Sequence, residues 1–289
     1  MKPAPFTYHR PSTVAEVTAL LAEHGDEAKV LAGGQSLVPM LALRLARFEH
    51  LVDLNFVPEL AGIRANGSLV VGAMTRQAAV ERSADVARTV PLLARSVPLI
   101  GHFQIRNRGT VGGSIAHADP ASELPAVVLA LRAEATVAGS AGRRTVPADE
   151  LFVGTWTTAV EPDELLVDVR FPTAKPRSGA ALVELARRHG DFAVAGAACT
   201  LSLDGDDRVA DAGVALLGMG PVPLRASSAE TDLAGAAPSA ADLVEVAERA
   251  AAATEPVDDV HGSARYRRRV CAHLLAQALG QAFEEARRG

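Results

Sequence analysis

Cysteine is scarce in this chain, and its scarcity excludes a good deal. Cys199 and Cys271 are the only two among 289 residues, and neither has a C-x-x-C partner. A zinc ribbon or an iron–sulfur cluster held by this chain alone needs about four cysteine ligands. Any redox chemistry here therefore falls to an organic cofactor. Cys199 sits in the apolar run Val194-Ala195-Gly196-Ala197-Ala198-Cys199, and both thiols read as small buried hydrophobes. Long apolar runs are missing too, since none approaches the ~18–20 residues that span a bilayer. Met1-Lys2-Pro3-Ala4-Pro5-Phe6 lacks a basic-then-apolar leader pattern, so a cytoplasmic protein is the expectation. With a net charge of -5, nothing draws the chain to nucleic acid. The one basic cluster, Arg265-Tyr266-Arg267-Arg268-Arg269, falls in a helical stretch and reads as a solvated helix face or a subunit contact.

What is present is glycine, in two pairs. Ala32-Gly33-Gly34-Gln35-Ser36 lies near the start, and Thr110-Val111-Gly112-Gly113-Ser114 leads into Ile115-Ala116-His117-Ala118-Asp119-Pro120. Each pair is backbone without side-chain bulk followed by a small hydroxyl residue, which lets several N–H groups approach an anionic ligand. Two such segments suit a ligand with more than one negative group, and a dinucleotide pyrophosphate fits. The bland alternative is a pair of tight turns. Neither segment is the G-x-G-x-x-G fingerprint, because Gly33 and Gly34 are adjacent and no third glycine follows at the right offset. A doubly wound nicotinamide domain is disfavoured.

The element pattern is mixed. Thr13-Val14-Ala15-Glu16 has capping-box spacing and predicts a helix from about Thr13 to His24, with Gly25 as the stop. Lys29-Val30-Leu31 and Leu51-Val52-Asp53-Leu54 read as strands, and Asn66-Gly67 as a hairpin turn between antiparallel strands. Helical spacing returns over 75–88 and 92–100, and Gln104-Ile105-Arg106-Asn107-Arg108-Gly109 forms a polar approach to the second glycine pair. Arg106 and Arg108 read equally as phosphate-side cations or as surface charge. Pro172-Thr173-Ala174-Lys175-Pro176-Arg177-Ser178-Gly179 marks a boundary. Beyond it come strand-like runs over 181–186, 193–203 and 209–217, then helices over about 240–252 and 263–286. The Ala-, Ser- and Gly-rich stretch 226–240 reads as a surface excursion. An α+β fold follows, divided into a domain over 1–175, with subdomains over about 1–57 and 58–175, and a second domain over 176–289.

Four motifs in order carry a family resemblance. Phe6-Thr7-Tyr8-His9-Arg10-Pro11, Ala32-Gly33-Gly34-Gln35-Ser36, the stretch Gln104 through Ser114, and Arg187-Arg188-His189-Gly190-Asp191-Phe192-Ala193 resemble the FAD-binding medium subunit of molybdenum hydroxylases. That family includes the carbon monoxide dehydrogenase medium subunit and the flavin domain of xanthine dehydrogenase. The resemblance implies FAD bound by a two-subdomain domain of the PCMH type, followed by a smaller α+β domain with a three-stranded antiparallel sheet and helices. By position it implies that Ala32, Gly33, Gly34, Gln35, Ser36 and Leu37, with Thr110, Gly112, Gly113 and Ser114, contact FAD, largely through backbone N–H groups. Glu123 stands where the family commonly has Asp as an acceptor for the adenosine ribose hydroxyls. A helix-start carboxylate favoured by the helix dipole is the plainer reading of it. Ile100, Leu166 and Phe192 stand near the flavin in the family, although each could be plain core by residue type. His117 is assigned no catalytic role.

The resemblance further implies electron transfer with no covalent substrate chemistry on this chain. A large partner subunit carries the molybdenum cofactor, a small one carries two iron–sulfur clusters, and FAD passes electrons to NAD, oxygen or a quinone pathway. The assembly expected is a dimer of three-chain units. Two other classes compete. A stand-alone FAD-dependent reductase of the same fold would need an NADPH site and its own acid or base, and a flavin-free scaffold would not need intact glycine segments.

Overall fold

The computed structural model describes residues 2–289, so Met1, part of the leader reading and of the first expected domain, lies outside the described residues. The chain opens with three strands, β1 (Thr7–His9), β2 (Ala28–Leu31) and β3 (His50–Asp53), in a parallel sheet of order β1-β3-β2. Parallel strands require crossovers: the helix Val14–His24 carries the chain from β1 past the place of β3 to β2, and the helix Leu37–Ala42 lies between β2 and its neighbour β3. Thr13 Oγ1 accepts from the Glu16 N–H at 3.2 Å. The returning arm of the expected capping box is displaced by one residue, with the Glu16 carboxylate accepting from the Ser12 N–H at 2.6 Å. Gly25, at φ +49°, ends the helix as expected.

The next unit is an antiparallel sheet built from β4 (Ile63–Asn66), β5 (Ser68–Gly72), β6 (Glu134–Gly139), β7 (Gly142–Pro147) and, later in the chain, Leu165–Phe171. Two short strands intervene, β8 (Phe152–Gly154) and β9 (Thr157–Thr158), which makes Leu165–Phe171 β10 and the sheet order β4-β5-β10-β6-β7. Asn66 pairs with Ser68 around Gly67, whose φ of +69° is the conformation the hairpin turn requires. Between β5 and β6 run helices Gln77–Glu81, Ala84–Thr89, Pro91–Ser96, Phe103–Arg108, Val111–His117 and Glu123–Ala130. The helical run expected over 75–88 is broken at Arg82-Ser83, where Ser83 Oγ accepts from the Val86 N–H and starts a new helix. The expected polar approach before the second glycine pair is itself a helix, Phe103–Arg108.

The last unit is an antiparallel sheet of β11 (Ser178–Ala186), β12 (Ala193–Leu203), β13 (Val209–Leu217) and the two-residue edge strand β14 (Leu224–Arg225). Its three long strands match the expected three-stranded sheet. Helices Ala240–Ala252 and Ala264–Arg288 cover one face, and small residues bring them close: a Cβ on Gly179 would fall 1.9 Å from the Ala282 carbonyl oxygen. The stretch expected as a surface excursion instead forms the helix Ser227–Leu233, which buries Ala229 and Leu233. Arg267 corrects the reading of the basic cluster. It is turned inward, donating to the Val194 carbonyl and pairing with Asp259. Both cysteines are buried, as expected, and burial raises both thiol pKa values, that of Cys271 to about 12. On the opposite face of this sheet, Ala180, Ala193, Ala198, Ala215 and Leu217 join the apolar cluster of the preceding unit. The helix Glu123–Ala130, buried along its whole length, belongs to that same cluster.

Candidate cofactor site

The first glycine segment leaves β2 and turns into the helix Leu37–Ala42. Gly34 has φ +75°, a left-handed conformation that suits glycine and curls the backbone. Among the described residues, the N–H groups of Gly33, Gly34, Gln35, Ser36 and Leu37 donate to no protein acceptor, and Ser36 makes no side-chain capping bond. Several of the carbonyls are engaged: Gly33 O accepts from Gln35 Nε2 at 3.2 Å, Gly34 O from the Val38 N–H at 3.1 Å and Ser36 O from the Met40 N–H at 3.3 Å. A curl of free donors is a cradle for an anion.

The second segment differs from the expected loop. Thr110 is the N-cap of the helix Val111–His117, and Gly112, Gly113 and Ser114 lie in its first turn. Their N–H groups are spoken for. Val111 donates to Thr75 O, Gly112 to Ala73 O at 2.8 Å, Gly113 to Thr110 Oγ1 at 3.1 Å and Ser114 to Thr110 O. The expectation that backbone N–H groups bind the ligand is therefore corrected for Gly112, Gly113 and Ser114. Among the described residues, what this segment leaves unengaged is the Thr110 N–H and the half-buried Ser114 hydroxyl. Its glycines serve close approach instead, since a Cβ on Gly112 would lie 2.4 Å from Ala73 Cβ and one on Gly113 3.2 Å from Ala32 Cβ. Gly33 is likewise pressed against the other segment, its hypothetical Cβ 2.4 Å from the Arg108 carbonyl oxygen. The two segments meet backbone to backbone.

A polar network that the sequence reading missed fixes that seam. Buried Asp53 at the end of β3 accepts from the Tyr8 hydroxyl and from the Asn55 N–H, and Asn55 Nδ2 donates to the Ala32 carbonyl at 3.1 Å. Arg76 donates to Asn55 Oδ1 with one nitrogen and to the Arg108 carbonyl with another, tying the first segment to the second. The adjoining backbone is pinned by an antiparallel bridge between Arg76 and Thr110. Arg106 has no free charge for a ligand. It forms a bidentate pair with Glu81 and donates to the Ile100 and Gly101 carbonyls. Arg108 stays exposed.

Glu123 opens the helix that follows Asp119-Pro120 and is 5% exposed. Burial raises its pKa to about 7, against the lowering by its own backbone N–H, and the nearby Asp119 carboxylate raises it further. Asp119 acts as the expected turn-former, accepting from the Ala121 N–H at 2.9 Å. Facing Glu123 from β11 is Glu184, absent from the sequence reading. Its Oε2 is buried without a partner, and its pKa rises to about 8 by burial and by repulsion from Glu123. The available signal was a lone carboxylate in the apolar strand Leu182-Val183-Glu184-Leu185.

The three apolar candidates separate by environment. Leu166 is core, in β10 opposite Val137, and Ile100 is buried just before Gly101, whose φ is +50°. Phe192 stands 58% exposed in the β11–β12 turn behind Gly190, whose φ is +87°. That turn reaches the unit that carries the second glycine segment, because a Cβ on Gly190 would touch Gly101 and the His102 ring at 3.0 Å.

Two family models match the chain. Residues 4–174 match the FAD binding domain in molybdopterin dehydrogenase, and residues 180–282 match the CO dehydrogenase flavoprotein C-terminal domain. The chain is 42% identical over 288 residues to the 6-hydroxypseudooxynicotine dehydrogenase complex subunit alpha of Paenarthrobacter nicotinovorans, covering 99% of this chain and 97% of that one. It is 41% identical to the carbon monoxide dehydrogenase medium chain of Hydrogenophaga pseudoflava, covering 98% and 99%. The solved carbon monoxide dehydrogenase of Hydrogenophaga pseudoflava lacking the Mo-pyranopterin moiety contains a chain that superposes with TM-score 0.96 at 42% identity, covering 99% of both. With a free-amide cradle, a glycine-sealed seam and this similarity along its length, the chain belongs to the family of FAD-binding medium subunits of molybdenum hydroxylases.

Proposed function

We infer that this chain is the FAD-carrying electron-transfer subunit of a molybdenum-containing hydroxylase or dehydrogenase complex. The observation that carries the reading is the run of N–H donors from Gly33 to Leu37 held open against the second glycine segment. Those amides receive the pyrophosphate, with the Ser36 and Ser114 hydroxyls as added donors. Glu123 accepts from the ribose hydroxyls. Phe192, exposed on its turn, covers the isoalloxazine, while Ile100 and Leu166 form apolar backing. When bound, FAD takes electrons singly from iron–sulfur centres and releases them as a pair. The chain orients it, shields it and supplies no acid or base. Molybdenum and iron–sulfur centres reside on a large and a small partner subunit, consistent with a chain whose two cysteines, both buried, are fewer than a cluster needs. We propose a dimer of such three-chain units in the cytoplasm, discharging to NAD, oxygen or a quinone pathway.

Purification of the chain from its native host tests this reading. The expected outcome is a complex with two further polypeptides that contains molybdenum, iron and FAD. Recovery as a single polypeptide would contradict it and favour the stand-alone reductase.

The ribose role of Glu123 makes a separate prediction. Protonated Glu123 and glutamine are both neutral, whereas the carboxylate accepts more strongly, by about 1.5–3 kcal/mol for a charged hydrogen bond. The Glu123→Gln variant should lose roughly ten-fold or more in FAD affinity at pH 8. At pH 6, below the pKa of about 7, the loss should shrink to a few-fold. Fluorescence titration of the isolated chain at both pH values measures this, and equal losses would remove Glu123 from the ribose.

A further inference from the structure

Three histidines converge on one face of the first sheet, beside the start of β3. His9 ends β1, His50 begins β3, and His24 ends the helix Val14–His24; all are half-buried. In the parallel pairing, Thr7 lies opposite His50, and the two-residue alternation puts His9 on the same face as Thr7. The crossover helix then delivers His24 to that face. His9 Nε2 and His50 Nδ1 are 2.9 Å apart, and the His24 and His50 rings stack with centroids 3.7 Å apart and planes within 8°. One ring nitrogen from each histidine lies within 4.8 Å of the others, and oxygens of Glu27 and Glu49 lie within the same distance of a His50 nitrogen. The two glutamates are held in register by the Glu49 N–H donating to Glu27 O at 3.0 Å.

Hydrogen bonding alone serves this arrangement poorly. Only one proton fits between His9 Nε2 and His50 Nδ1, and no carboxylate hydrogen-bonds to any of the three rings among the described residues. Charging two of the rings would place like charges in contact. An ion that accepts three imidazole lone pairs resolves this, with nearby carboxylates to balance it.

We propose that His9, His24 and His50 form a site for one divalent transition-metal ion of the zinc type, with a water as the fourth ligand and the carboxylates of Glu27 and Glu49 beside His50 to offset its charge. Zn–N bonds of about 2.0–2.1 Å place tetrahedral nitrogens about 3.3 Å apart. The His9 and His50 nitrogens, 2.9 Å apart, therefore open by a few tenths of an ångström, while the His24 nitrogen closes on them, His24 turning about χ2 so that a nitrogen, not its face, meets the ion. The role is structural. The ion ties β1, β3 and the helix end together, and from His24 the chain runs through β2 straight into the Ala32–Ser36 cradle.

The test uses the full-length chain without an affinity tag, stripped with a chelator and titrated with Zn2+ by calorimetry and with Co2+ by visible absorption. One equivalent should bind saturably, with Co2+ giving the intense bands of tetrahedral coordination and Zn2+ displacing it. Excess Zn2+ should raise the thermal midpoint by several degrees. His24→Gln and His50→Gln should each weaken binding about ten-fold or more, whereas His261→Gln, at an exposed position, should not. Absence of saturable binding, or equal affinity in the folded variants, overturns the site and leaves a stacked histidine cluster only. If a variant fails to fold, the Co2+ spectrum of the unaltered chain decides, since octahedral bands or none contradict three imidazole ligands.

Discussion

Replacing Gly33 with alanine should weaken FAD binding about 100-fold while leaving the chain folded. The added Cβ would lie 2.4 Å from the Arg108 carbonyl oxygen and 2.8 Å from Gly109 Cα, and both are backbone atoms. That backbone cannot retreat. Arg76 holds the Arg108 carbonyl, Gly109 O accepts from the Gln77 N–H, and the Thr110–Ser114 turn is bonded to Ala73 and Thr75. The first segment must move instead, and with it the donors from Gly33 to Leu37. Overpacking of this kind costs about 1–3 kcal/mol. Exacted from a bound geometry, that converts to roughly ten- to 100-fold in affinity, and loss of alignment over five donors places the effect at the upper end. A flavin-fluorescence titration measures it. Gly67→Ala is the control, because its position has φ +69° but nothing within 4 Å. It should lower stability by about 1–2 kcal/mol through strain alone and spare binding. Near-native affinity in Gly33→Ala would mean that the glycine seam is not what shapes the cradle.

The second large effect is on stability against pH. Glu123 titrates near 7 and Glu184 near 8 in the folded chain, against an ordinary value of 4.5, and burial is the first cause for both. Between those values the folded state keeps protons that the unfolded state has released. Stability is therefore highest at the acid end of the window and declines as pH rises from about 5 through 8, levelling off above. A carboxyl group that titrates one pH unit higher in the folded chain than in the unfolded one gives a decline of about 1.4 kcal/mol. For an adjacent pair that shares its repulsion and is in part exposed, the two declines do not add in full, and the pair together gives several kcal/mol. Carboxylates held below their ordinary range by arginine, such as Glu164 and Glu285, gain and lose their contribution below this window. Denaturant unfolding of the FAD-free chain at pH 5.5 and 8.5 reads the difference. Glu184→Gln should flatten most of it and stabilise the chain at pH 8.5. A midpoint that does not fall with pH, or falls equally in the variant, would show that Glu184 ionises freely.

Local signals carried most of the architecture. Thr13 and Gly25 bracket the first helix because a cap and a left-handed stop are decided within a few residues, and Asn66-Gly67 made its hairpin for the same reason. The strands of the last unit follow from long, largely apolar runs. The second glycine pair shows how a local signal can be misweighted. Thr110 followed three residues later by Gly113 is N-cap spacing, and the hydroxyl indeed caps the Gly113 N–H. Treating both pairs as equivalent loops overlooked it. In the stretch over 226–240, Ala229 and Leu233, four residues apart, formed a buried helical stripe that its Ala, Ser and Gly content disguised.

The rest was out of reach for a different reason. Asn55 contacts Ala32 across 23 positions, Arg76 contacts Arg108 across 32, and Glu184 meets Glu123 from another domain. Nothing next to them in the chain marks them. A buried carboxylate, or an arginine at a seam, acquires its role only when the fold brings backbone carbonyls or a second carboxylate to it.

FAD retention by the purified chain is the measurement to make. The absorbance spectrum is recorded before and after addition of FAD and gel filtration, and any chromophore released by heat is identified. Flavin bands with about one FAD per chain are the outcome that follows from the donor cradle between Gly33 and Leu37. A chain that stays colourless with added FAD, both alone and coexpressed with its partner subunits, would contradict it and leave a scaffold that has kept the fold without the cofactor.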